Sequence, residues 1–138
     1  MAVTNEGINS LLNVYFKGAT QITTWYTNVF CADYTPVVGD TAATFPALAT
    51  EATTQISEGT RQPLTLSTST AKSVGNTANL ATITASTAFT AYGAGVFSSA
   101  TKGGVSGVLF CAGKFQSPRA LQASDQLKIE VIINGASA

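Results

Sequence analysis

Few residues in this chain are of types that do chemistry, and their spacing limits what that chemistry could be. Histidine is absent, which removes Ser-His-Asp and Cys-His catalysis together with the commonest metal ligand. Cys31 and Cys111 lie far apart, and two cysteines alone do not complete a structural zinc site. No metal and no cofactor is expected. No GxxxxGK(S/T) or GxGxxG motif follows a strand and opens a helix, so Gly93, Gly95, Gly103, Gly104 and Gly107 read as bends and turns. Carboxylates remain, because a glycosidase needs only two acids. Glu51 with Glu58, or Asp125 with Glu130, would supply a pair. Asp125 falls in a turn and Glu130 points outward from a strand, so solvated surface acids are the ordinary reading. No catalytic residue is assigned, and the chain reads as a non-enzyme.

The remaining candidates are residues for binding. Trp25 and Tyr26, with Tyr15, Phe16 and Phe30 nearby in sequence, could stack on a sugar; core or subunit contact is the commoner use of such a cluster. Neighbours on a strand face opposite ways, so Trp25 and Tyr26 cannot both point inward. Arg61, Lys102 and Arg119 could pair with acids of a partner, against the ordinary reading of solvated loop charges.

The elements that must position these residues are mostly strands. One helix is legible over Glu6–Phe16, where Ile8, Leu11, Leu12 and Tyr15 recur at i, i+3, i+4 and i+7, with Asn5 as N-cap and Gly18 as stop. So short a helix must pack on the domain or on a partner. Thr20–Cys31 is rich in β-branched and aromatic residues and predicts a strand. Val37–Ser57 predicts a long connection with local helical pieces, limited by Pro46. Arg61–Leu66 predicts a short strand that Pro63 places at an edge or beside a bulge. Leu80–Ala85 predicts a strand whose core face is ambiguous. Phe89–Ser99 and Val105–Phe115 predict a hairpin about a glycine-bearing loop. Beyond the polar stretch Gln116–Arg119, the alternation of Leu127, Ile129, Val131 and Ile133 predicts one continuous final strand. The pattern predicts an all-β chain, an antiparallel β-sandwich of jelly-roll type with a short N-terminal helix, in one domain over residues 1–138.

Composition narrows the partners. Only 10 % of the 138 residues are charged, and seven basic residues balance seven acidic ones. No long-range field therefore draws the chain to nucleic acid or an anionic bilayer. The opening residues lack a positive n-region, and no apolar run approaches the roughly 20 residues of a membrane span. A soluble, cytoplasmically made chain is expected, its cysteines free and buried rather than bridged. A Thr-, Ser- and Ala-rich surface suits contact with protein. Few charges are available to blunt sheet edges, so the N-terminal segment or the Pro63 strand should be covered by a neighbouring subunit.

The opening VTNEGINSLLNVYFKGATQITTWY resembles the N-terminal signature of small proteins encoded among phage structural genes. Ser98–Gly107 and Arg119–Ile133 are similar to that group's hairpin and closing strand, whereas residues 32–78 match poorly. The resemblance is to the cementing, or decoration, proteins of short-tailed phages. It implies a jelly-roll virion protein on the outer capsid surface, with the major capsid protein and its own copies (dimer or trimer) as partners. A carbohydrate-binding jelly roll on the capsid or tail is the alternative.

Overall fold

The computed structural model of the chain describes residues 1–135. The chain runs β1 (Ala2–Val3), α1 (Asn5–Lys17), β2 (Tyr26–Phe30), α2 (Phe45–Leu48), β3 (Gln62–Pro63) and β4 (Ser73–Gly75). It continues through β5 (Ala81–Thr84), β6 (Phe89–Phe97), β7 (Leu109–Leu121), β8 (Gln126–Ile129) and β9 (Ile132–Asn134). Every ladder is antiparallel. One five-stranded sheet has the order β1-β7-β6-β2-β3, and two-stranded ribbons join β4 to β9 and β5 to β8. The all-β, antiparallel expectation with one short N-terminal helix holds at this level.

The five-stranded sheet is buried on both faces. Val29, Val96 and Cys111 pack in one cluster with Ile83, Ile129 and Val131 of the ribbon side. Phe30, Phe97 and Leu109 pack in a second cluster with Phe45 and Ala49, in and beside α2. Burial on both sides explains why four of the five residues of β2 are buried and why β6 reads as a near-continuous small and apolar run. Gly93 and Gly95 serve this packing rather than a bend: a Cβ at Gly93 would lie 2.4 Å from the Phe30 ring, and one at Gly95 would lie 2.9 Å from the Phe97 ring.

Several sequence expectations need correction. The Thr20–Cys31 strand forms only over Tyr26–Phe30, because ladder partners exist only there. The polar stretch Gln116–Arg119 does not end the hairpin: β7 runs on to Leu121. Ala91 pairs with Arg119 and Gly93 with Lys114, so residues 115–118 bulge opposite Tyr92, where Pro118 owes the ladder no donor. The final strand is broken in two. Buried Asn76 accepts a hydrogen bond from the Val131 N–H (2.7 Å) and donates to the Ile129 carbonyl (3.1 Å). That side-chain amide replaces ladder bonds at the break, so β8 pairs with β5 and β9 with β4. Pro63 does lie in the edge strand β3.

A candidate interaction surface

The first turn of α1 is tied firmly to β7. Thr4, rather than Asn5, is the N-cap: its hydroxyl accepts from the Gly7 N–H at 3.0 Å and donates to the Leu109 carbonyl. Glu6 Oε2 accepts from the N–H groups of Leu109 (2.7 Å) and Ala42 (2.8 Å), and its charge also suits the helix N-terminus. Gly7, the one buried residue of the helix, sits against the Phe110 backbone. At the far end Gly18 closes the helix in the left-handed conformation, φ 66°.

Beyond that first turn only Ser10 and Val14 are half-buried and the rest of the helix is exposed. The apolar positions of the expected helix face are exposed, Ile8 43 %, Leu11 55 %, Leu12 46 % and Tyr15 81 %, and so is Phe16 at 76 %. Their spacing made the helix legible, but the domain itself does not bury them. Beside the helix runs an apolar groove of about 440 Å³, lined by Leu11, Val14 and Tyr15 on one side and by Trp25, Leu66 and Phe110 among others on the other. Trp25 is half-buried in its wall, edge-on to Phe110 with ring centroids 5.3 Å apart. Tyr26 is a half-buried residue of β2, paired with Phe97 and Pro63. The two rings therefore do not form an open platform.

The three cations divide. Arg61 is not a surface group. It is wholly buried, paired with Glu51 through Nη2–Oε2 at 2.7 Å and Nε–Oε1 at 2.8 Å, and its guanidinium lies 3.7 Å from the centre of the Phe97 ring. Two further N–H groups bond the Ser99 and Gly104 carbonyls at 3.0 Å. Glu51, expected as a solvated acid, is buried too and also accepts from Asn28 Nδ2 (2.8 Å) and the Gly103 N–H (3.1 Å). Lys102 is half-buried and donates to the Thr53 and Glu58 carbonyls. Both cations thus anchor the loop between β6 and β7 from within and leave little for a partner. Only Arg119 is exposed, beside a cleft it shares with Lys128 and Glu130.

Each of the four candidate carboxylates has a partner within the fold. Both Glu51 oxygens are engaged by Arg61, Glu58 Oε1 accepts from the Thr84 N–H, Asp125 caps its own turn through the Gln122 N–H, and exposed Glu130 accepts from Thr77. The Glu51–Arg61 pair was missed in the sequence; the available signal was the scarcity of charge, since a chain with seven of each sign spends few of them by accident. Among the described residues no group of three or more His, Cys, Asp or Glu is placed to hold a metal.

The cysteines are free thiols. Burial pushes the Cys111 thiol up from 9.0 to about 12, opposed weakly by the N-terminal ammonium, and burial raises Cys31 as well. Below pH 9.0 both thiols are protonated whether the chain is folded or not, so their contribution to stability is then fully present. Above it the unfolded chain ionises first, the Cys111 contribution is lost as pH climbs towards about 12, and that of Cys31 falls in the same direction. We expect Cys111 to resist alkylation at about pH 8 until the chain is unfolded; equal rates in buffer and in denaturant would contradict its burial.

Comparison of the sequence with protein-family models and with curated proteins finds no match.

Proposed function

We propose that this chain is a structural virion protein, a jelly-roll-type sandwich that binds the outer surface of a phage capsid and cements neighbouring major capsid subunits. The observation that carries the reading is the uncovered apolar face of α1. A short helix held by one turn and apolar beyond it is built for contact with protein. The resemblance of the opening residues supports the capsid as that partner, and one sheet facing antiparallel ribbons across a shared core is in keeping with a jelly roll. The chain needs no chemistry of its own in this role: a ligand of the assembled shell that ignores separated subunits stabilises assembly by mass action.

The test is to mix purified protein with shells assembled without it, sediment them and quantify bound copies. Saturation at a number set by the shell's symmetry, with greater resistance of the decorated shells to heat, is the expected result. Protein left in the supernatant at all ratios would refute cementing.

A further inference from the structure

We infer that the outer face of α1 and the groove beside it are the two halves of one contact, made with a second copy of this chain. This contact belongs to the free protein and competes with the shell for the same face of α1. Ile8, Leu12 and Phe16, at i, i+4 and i+8, form a stripe outside the groove lining and are 43 %, 46 % and 76 % exposed. Leu11 and Tyr15, also exposed, turn towards the groove and form its lip. One molecule thus carries both an apolar ridge and an apolar hollow large enough for a pair of large side chains. A two-fold axis near α1 would set each copy's ridge against the other's groove, burying both at once, as an isologous interface does.

Area points the same way. Scaled to roughly 200 Å² for a large side chain, the five exposed residues of α1 present about 600 Å² of apolar surface. That is at the upper end of the largest patch on a typical monomer and approaches the roughly 800 Å² per partner of a standard interface. The helix chemistry disfavours a membrane surface: its polar positions are Asn5, Asn9, Ser10 and Asn13, and its only charges are Glu6 and Lys17, where an interfacial helix carries a Lys- and Arg-rich polar face. A small apolar ligand in the groove would leave Ile8, Leu12 and Phe16 in water.

Analytical ultracentrifugation of the full chain, without shells, tests this. We expect reversible dimers at micromolar concentration, weakened at least about 30-fold by Phe16→Glu or Leu12→Lys, with the far-UV circular dichroism and melting temperature of the dissociated chain preserved. Lys17→Glu, at the same helix end, should leave association intact. A Phe16→Cys chain mixed with a Leu66→Cys chain should cross-link to each other under mild oxidation. A wild-type chain that remains monomeric to about 100 μM, beyond the dissociation constants of standard interfaces, would overturn the inference. So would dimers indifferent to both helix variants, or a monomer whose groove takes up an apolar dye.

Discussion

Glu51→Ala is expected to lower the unfolding free energy by about 3–5 kcal/mol, because it leaves the Arg61 guanidinium charged, buried and unpaired. Arg61 is fully enclosed and cannot swing out to water without opening the packing against Phe97. The change also strips the partners of Asn28 Nδ2 and the Gly103 N–H. The cation–π contact with Phe97 survives, but it is worth only about 2 kcal/mol even when desolvated. For a chain of this size the melting temperature should fall by about 10 °C or more. Substituting both members by apolar residues, Glu51→Leu with Arg61→Met, should recover much of the loss, since a buried pair repays little beyond its own desolvation. A Glu51→Ala midpoint within about 0.5 kcal/mol of wild type would mean that water reaches Arg61. The same variant should free the loop between β6 and β7, seen as faster amide exchange at Gly103, because that loop hangs on the pair through Ser99, Gly103 and Gly104.

Gly7→Ala should destabilise the chain by about 2–3 kcal/mol, against the direction that helix propensity alone dictates. In an isolated helix alanine is favoured over glycine by about 1 kcal/mol. Here the added Cβ would stand 2.4 Å from the Phe110 carbonyl oxygen and 2.8 Å from its Cα, and both are backbone atoms. They belong to β7, which is held between β1 and β6 and cannot withdraw. The helix must lift instead, forfeiting the Thr4 and Glu6 bonds to Leu109 as well as the overlap itself. Steric cost therefore exceeds propensity. Chemical denaturation measures the sign directly, and a stabilised variant would show that α1 is not seated on β7. Because α1 presents the proposed contact, self-association should weaken together with stability, whereas Phe16→Glu should affect association alone.

Legibility followed the range of the physics. The helix could be read because a 3.6-residue period and a glycine stop act within one turn, and the β6–β7 hairpin because its two apolar runs flank a loop with glycines where φ turns positive, as at Gly103. The missing donor of Pro63 called for an edge or a bulge, and the fold uses the edge. The break between β8 and β9 was illegible, because the residue that causes it, Asn76, lies more than fifty positions away in sequence. The bulge at residues 115–118 was hidden for a related reason: a polar stretch with a proline looks the same whether the strand ends there or steps around a partner residue.

The interaction surface divides along the same line. By itself the sequence determined an antiparallel β-rich chain with one amphipathic N-terminal helix, a sparse and balanced set of charges, and no histidine for the commonest catalysis. These depend on composition and local periodicity, which need no knowledge of distant contacts. Only the tertiary structure decided which apolar residues go unburied and which charges disappear inside. Periodicity marks a helix face as apolar without saying what covers it, and α1 proved to be hydrogen-bonded to β7 through its first turn with most of its apolar residues left exposed. Composition counts Arg61 among surface cations by default, yet in the fold Glu51, Ser99, Gly104 and Phe97 meet around it. Burying a charge is tolerable only where its partners converge, and convergence is a property of chain topology rather than of neighbours in sequence.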